Sequence, residues 1–562
     1  MGINNEYRFG ELPKTRLPRS IFLMKRNWKG TFNVGDIIPF YLKQTIVPGD
    51  TFQIKQAIVA RMLTPITPTM DDLVLDVYYF SVPLRLVWAN FKKFMGENEN
   101  GAWAQTADLE IPQVQVPSTA SGTSIPQKGT LWDYFGLPIG IKGADTDHPI
   151  SVSVLPFRSY QMIYNYFFRN QSLIAPITHG TGDSTTNWNP MSLAFQVRKA
   201  SRLPDYFSTA LPQPLKNSTG AVTMPLGVSA PVSIYGTGKT LGLYDGTNNF
   251  GFGTLNGQTN GIGSQDLYDT DAGTAETANY NPSNVGIGLS TDPAKSGIIG
   301  LADLTSATAS TIEALRLAAQ TAMIYNRDSV YGTRYFDEIL YGHYGVTSGA
   351  ARFEKPQYLG GKRIPITQNQ IAQTSETSNS SPLGNVAAFS LTADVSHMFT
   401  QSFTEHCILM GVMVIRQLTH TTQQGIHRDW TIRKRLDMWW HEFDHLGNQP
   451  IYNREIYADG SAYDNEVFGY QERYAEYRYE YNTICGEFRS TYSTPLDSWH
   501  YGDLYASLPV LSQQWIEETK SNVQRTIAVQ NHDQFMVDTT LYIKAARPLP
   551  VSGMIGGLID HF

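Results

Sequence analysis

Four apolar segments that read as strands of a buried sheet come from opposite ends of this chain, and that separation constrains the fold more than any other feature. Thr51 to Met62 (TFQIKQAIVARM) and Leu73 to Val82 (LVLDVYYFSV) are rich in β-branched and aromatic residues and are bounded by Pro-Gly and by Pro65, Pro68 and Pro83, as strands are. Cys407 to Ile415 (CILMGVMVI) is a continuous apolar run too short for a membrane, and Phe535 to Ile543 places Phe535, Val537, Leu541 and Ile543 at period two. If such distant segments pair in one sheet, the fold closes late and with high contact order, as Greek-key sandwiches do.

Composition agrees with sheets joined by long loops. Aromatic residues make up 12% of the chain and charged residues 17%, with 47 Gly and 30 Pro to punctuate turns, so a helical bundle and a disordered chain are both disfavoured. At 562 residues the chain exceeds what one compact core usually holds, which predicts a large domain with a big insertion or several domains. The insertion candidate is residues 213–300. Its Gly content rises to 16 in residues 217–300, charges are sparse, and Ser, Thr and Asn surround short apolar pieces, which predicts an exposed, turn-rich excursion. This divides the chain into an arm (1–30), a first core part (31–212), the insertion, and a second core part (301–562). Two helices are expected: one begins at Ser310-Thr-Ile-Glu313, which has capping-box spacing and puts Ile312, Leu315, Ala319 and Met323 on one face, and one covers Leu155 to Phe168, with Tyr160, Tyr164 and Phe168 aligned.

The formal net charge is −7, so the molecule as a whole is not drawn to polyanions, and any basic site must be local. One exists: residues 1–30 hold Arg8, Lys14, Arg16, Arg19, Lys25, Arg26 and Lys29 against only Glu6 and Glu11. The arm reads equally as a solvated terminus with little structure alone or as a polyanion contact. Two cysteines, Cys407 and Cys485, are too few for a disulfide framework and fit a reducing compartment, and no leader or membrane span is recognised.

Chemical motifs fare poorly. His441-Glu442-Phe443-Asp444-His445 matches the zinc-protease pattern literally, but Gly447, Asn448 and Pro450 would stop the required helix almost at once. Gly236 to Thr240 (GTGKT) imitates the end of a phosphate-binding loop without its first Gly, and Asp266, Asp269 and Asp271 lack the later ligands of a calcium loop. His406 and Cys407, as neighbours on a strand, point to opposite faces and cannot be base and nucleophile; Cys407 is read as core. Tyr470 to Tyr481 (YQERYAEYRYEY) interleaves Arg473 and Arg478 with aromatics, as single-strand binders do, yet its three Glu favour a subunit interface or domain face.

Several segments together resemble the major capsid proteins of the microviruses, small icosahedral single-stranded DNA phages, and especially their gokushovirus branch. They include Val47 to Phe52 (VPGDTF), Asp76 to Pro83 (DVYYFSVP), Phe91 to Met95 (FKKFM), Ile163 to Phe168 (IYNYFF) and Tyr344 to Ala351 (YGVTSGAA). Tyr358 to Gly361 (YLGG), Ile371 to Ser375 (IAQTS), Val467 to Tyr479 (VFGYQERYAEYRY) and Phe488-Arg489-Ser490 continue the series, and nearly the whole chain is covered except residues 213–300.

The resemblance implies a mainly β fold, an eight-stranded antiparallel jelly roll of viral capsid type with long inter-strand insertions and a few helices. It implies self-assembly into a T=1 shell around circular single-stranded DNA, assembled in the bacterial cytoplasm, without catalysis or cofactor. The insertion then corresponds to a spike at the threefold axes, a candidate contact for a host surface receptor. The arm gains a partner, with Lys14, Arg16, Arg19, Lys25, Arg26 and Lys29 as phosphate contacts to the packaged genome. A small basic DNA-binding protein, a scaffolding protein and a pilot protein are implied companions. A β-sandwich adhesin or carbohydrate-binding module and, last, a zinc protease are the competing readings.

Overall fold

The computed structural model describes residues 17–551 apart from 99–108, 123–124, 146, 185–194, 350, 373, 375–382, 385 and most of 216–311. Among the described residues, eight strands of at least nine residues form the frame: β1 (Ser20–Phe32), β2 (Ile38–Ile46), β3 (Thr51–Met62), β4 (Leu73–Pro83), β5 (Gln357–Pro365), β6 (Thr392–Ser402), β7 (Cys407–Gln417) and β8 (Phe535–Arg547). They make two four-stranded antiparallel sheets, in the orders β1-β8-β3-β6 and β5-β4-β7-β2. The four segments legible as strands are thus β3, β4, β7 and β8. They divide between two sheets, with β3 beside β8 and β4 beside β7, so each sheet joins strands distant in sequence.

The difference between the strand patterns follows from the layers. The inner faces of the two sheets meet in one apolar core that includes Phe52, Ile54 and Leu541 from one sheet and Leu75, Tyr79 and Met413 from the other. The far face of the β5-β4-β7-β2 sheet is covered again by a second core, in which Phe80, Val82, Met410 and Val412 pack with Trp88, Trp132 and Phe157. β7 is therefore apolar at nearly every position, because both its faces are buried. β3 alternates, because only one of its faces is.

The second cover includes α1 (Leu155–Ile163), every residue of which is buried, continued by one π-helical turn over Tyr164–Phe168. Tyr160, Tyr164 and Phe168 are all buried, as their spacing predicted, and the Tyr160 hydroxyl donates to the Ile37 carbonyl at 2.8 Å. Residues 20–30, expected to belong to an arm with little structure alone, are instead the body of β1. Pairing with β8 supplies what the segment lacks in isolation, and Met24 and Trp28 pack against the core between the sheets.

A second compact unit, Gly220–Ile324, takes in most of the Gly-rich stretch. Its described strands form an antiparallel pair, Val232–Gly236 with Ile298–Ala302, and a three-stranded sheet of Gly242–Tyr244, Asn249–Phe252 and Leu267–Asp269. The helix expected after the insertion is α2 (Ile312–Tyr331); Ser310 and Thr311 of its proposed cap lie outside the described residues.

Candidate nucleic-acid interface

Of the six basic residues expected at phosphates, Lys14 and Arg16 lie outside the described residues, and Arg19 is exposed just before β1. Inside β1, successive side chains alternate between faces. Lys25 and Lys29 point to solvent. Arg26 turns inward: its Nη1 donates to the Leu42 carbonyl at 2.9 Å and its guanidinium lies 5.3 Å from the centre of the Tyr41 ring. Burial pulls the Arg26 pKa down. Arg26 thus ties β1 to β2 across the sandwich.

The register brings other bases to Lys25 and Lys29. Lys544 on β8 and Lys55 and Arg61 on β3 are exposed on the same face of the sheet. Lys29 Nζ lies 3.7 Å from Asp538 Oδ2, an exposed pair that contributes little to stability. Sequence reasoning missed Lys55, Arg61 and Lys544. A signal was present for two of them: in TFQIKQAIVARM, Lys55 and Arg61 share a parity opposite to that of the apolar Phe52, Ile54 and Ile58. The neighbour of that strand was not legible.

The metal-protease pattern has no helix beneath it. His441–Phe443 is a single 3-10 turn, and the chain turns at Gly447, whose φ is 94°, into a strand over Asn448–Tyr452. The His441 and His445 rings are exposed with centroids 6.4 Å apart, and Asp444 lies 3.8 Å from the Arg478 guanidinium. Among the described residues no group of three His, Cys, Asp or Glu is placed to hold a metal ion. GTGKT beyond Gly236, and the acidic triad other than Asp269, lie outside the described residues. Cys407 is buried in β7, where burial pushes its thiol pKa up and away from reactive thiolate, and the His406 ring packs against Phe91.

Both arginines of the Tyr470 to Tyr481 stretch are engaged within the chain. Arg473 lies over the rings of Phe443 and Tyr474, and Arg478 pairs with Glu472 and Asp444. The Tyr474 hydroxyl donates to the Met438 carbonyl and accepts from the Trp440 N–H, each at 3.3 Å. The stretch therefore backs the segment 426–446, which carries Trp430, Leu436, Met438, Trp439 and Leu446 in water. This is the domain-face arrangement and not a free row of cations.

Comparison with known proteins agrees with a structural role. The sequence model of the family described as capsid protein (F protein) matches residues 10–556. The chain is 37% identical over 538 residues to capsid protein VP1 of Bdellovibrio phage phiMH2K, covering 94% of this chain and 93% of that one. It is 32% identical to capsid protein VP1 of Chlamydia phage 1, covering 98% and 97% of the two chains. To capsid protein VP1 of Spiroplasma virus 4 it is 33% identical, covering 97% and 96%. The chain belongs to the microvirus capsid protein (F protein) family, whose members are structural and not enzymatic.

Proposed function

We propose that copies of this chain assemble into a closed T=1 icosahedral shell around a circular single-stranded DNA genome. The observation that carries the reading is the apolar surface that the folded chain leaves in water on one well-braced segment. Trp430 is 76% exposed and Trp439 50%, beside Leu436, Met438 and Leu446. A subunit that buries such side chains against its neighbours uses aromatic anchors of the kind enriched at protein interfaces. The eight long strands form a jelly roll on this reading, which the interleaved orders β1-β8-β3-β6 and β2-β7-β4-β5 support, since two Greek keys wound together produce that interleaving.

Lys14, Arg16, Arg19, Lys25 and Lys29 hold the packaged genome through phosphates, while Arg26 serves the sandwich. Because the chain is net negative, a separate small basic protein neutralises the remaining phosphate charge. Scaffolding and pilot proteins of the same phage are the other companions, the bacterial cytoplasm is the place of assembly, and residues 213–300 form threefold spikes that meet a host surface receptor. Electron microscopy of the full chain co-produced with its phage companions tests the proposal. Closed shells of uniform size are expected, and a chain that stays monomeric under those conditions overturns it. For the spike, shells with residues 220–300 replaced by a short linker should form and yet fail to adsorb to host cells.

A further inference from the structure

We propose that the solvent face of the β1-β8-β3-β6 sheet is a binding surface for single-stranded DNA, on which basic side chains from three strands take phosphates and Tyr542 stacks on a base. The inference rests on the reading of the chain as a genome-enclosing subunit and deepens it by joining Lys25 and Lys29 of β1 to side chains of β3 and β8 on one sheet face.

The antiparallel register sets out the surface row by row. Lys25 stands opposite Tyr542, Tyr542 opposite Lys55, and Lys55 opposite His397, so one row across all four strands reads Lys, Tyr, Lys, His. Neighbouring strands are about 4.8 Å apart, so a lysine flanks the tyrosine on each side within a single strand spacing. Tyr542 is 49% exposed, and Lys25 Nζ lies 5.6 Å from the centre of its ring. The next row in one direction adds Lys544, and rows in the other direction add Lys29 and then Arg61.

Charge decides what covers this face. Its outward positions carry Lys25, Lys29, Lys55, Arg61 and Lys544, with Asp538 as the one carboxylate, in a chain whose net charge is −7. Asp538 is paired with Lys29; Lys55, Arg61 and Lys544 have no carboxylate partner among the described residues. At one end of the sheet the face runs into a groove of about 680 Å³ lined by Lys29, Arg61 and Lys128 together with Asp133 and Asp538, and there Lys128 Nζ lies 3.0 Å from Asp533 Oδ2. A polyanion is the complementary occupant.

The tyrosine narrows the class. A basic strip alone fits any chain of phosphates or carboxylates, but an exposed aromatic ring inside the strip offers a stacking platform that only an unpaired base uses. Duplex DNA keeps the faces of its bases stacked inside, so they offer nothing for an aromatic side chain on a sheet to stack on. Leu23, exposed on the neighbouring strand in the row adjoining Tyr542, extends the apolar platform.

The test measures binding of a fluorescent oligothymidylate to the full-length chain as salt is varied. Joint replacement of Lys25, Lys55, Arg61 and Lys544 by Gln should reduce the slope of log K against log salt by about 3, from roughly 0.7 per phosphate contact. Each single replacement, at an exposed position that the fold tolerates, should remove about 0.7. Tyr542→Ala should weaken binding by roughly 5- to 150-fold and leave the slope unchanged, because stacking releases no counterions. An unaltered slope in the joint and single variants, or absence of oligothymidylate binding by the parent chain, overturns the proposal. So does competition by polyglutamate as strong as that by oligothymidylate, combined with a neutral Tyr542→Ala, which would assign the face to an acidic protein. Particle formation is scored in parallel: shells that form with an unchanged slope sink this surface alone, whereas a parent chain that forms no shells sinks the shell reading.

Discussion

The hydroxyl of Tyr79 donates a 2.7 Å hydrogen bond to Oε1 of Gln56 across the gap between the two sheets. Tyr79 is on β4 and Gln56 on β3, both buried, inside a core otherwise built from apolar side chains. Burial pushes the Tyr79 pKa well above its usual value, so the group remains a donor throughout the working pH range. Tyr79→Phe keeps the ring and strands the Gln56 amide oxygen, and should cost about 1–3 kcal/mol in urea unfolding of the unassembled chain. Adding Gln56→Leu removes the stranded group, so the double variant should recover part of that loss; strictly additive losses would mean the pair is not coupled.

Gly411 sits in β7 facing the same Tyr79 ring. A Cβ placed there would lie 2.9 Å from Phe40 Cζ and 3.0 Å from both Tyr41 Cβ and Tyr79 Cε1. Phe40 and Tyr79 already meet edge to face with centroids 5.6 Å apart, so neither ring has room to retreat. Gly411→Ala is expected to destabilise by about 1–3 kcal/mol through overpacking, although alanine is the better strand former on propensity alone. A thermal midpoint equal to that of the parent would show that the rings move aside.

Arg547, at the end of β8, closes the chain onto the turn between β2 and β3. Its Nη2 lies 3.0 Å from Asp50 Oδ2 and its Nε donates to Asp50 Oδ1 at 3.1 Å, with Asp50 fully buried. Asp50 in turn accepts from the Val47 N–H at 2.9 Å. Arg547→Met leaves a buried carboxylate without its cation and should cost about 3–5 kcal/mol, of which Asp50→Asn in the same chain restores a part. Equal stability of the two variants in denaturant melts would count against the ion pair.

How far the sequence disclosed the fold depended on what each residue type senses. β3 and β7 were legible to within two residues of their ends because burial on one face or on two writes period-two alternation or an unbroken apolar run directly into the chain. Their assignment to different sheets was not, since pairing is a relation between residues hundreds of positions apart, and nothing local to Ile58 names Thr539 as its partner. β1 was hidden for another reason. Its outward positions Lys25, Asn27 and Lys29 are polar, and Arg26 occupies an inward position, so the alternation that marks a half-buried strand is blurred. The candidate interface was half visible: charge density drew attention to Lys25 and Lys29, but Lys544 and Tyr542 join them only through the register of β8.

Folding stability should depend on pH through one buried cluster beside the sandwich. His420 Nε2 lies 3.3 Å from Glu518 Oε1, and Arg202 Nη1 lies 3.3 Å from His420 Nδ1 and 2.7 Å from Asp503 Oδ2, all deeply buried; Asn522 completes the cluster with a 2.6 Å bond to Asp503. Burial alone would lower the His420 pKa, but the Glu518 carboxylate outweighs it, with Arg202 opposing and Asp503 assisting, and the net direction is upward. A pKa raised in the folded state stabilises fully below the unfolded value, about 6.5, and that contribution is lost as pH rises through the folded value. Asp503 behaves in the opposite sense. Burial would raise it, but Arg202 and His420 hold it below the usual carboxylate range, so its contribution is complete above about pH 4 and lost as pH falls through the depressed folded value. The cluster therefore supports the fold most between about pH 4 and 6.5. His420→Gln should flatten the alkaline side of a plot of melting midpoint against pH and leave the acid side in place, and identical curves for parent and variant would show that His420 does not titrate with unfolding.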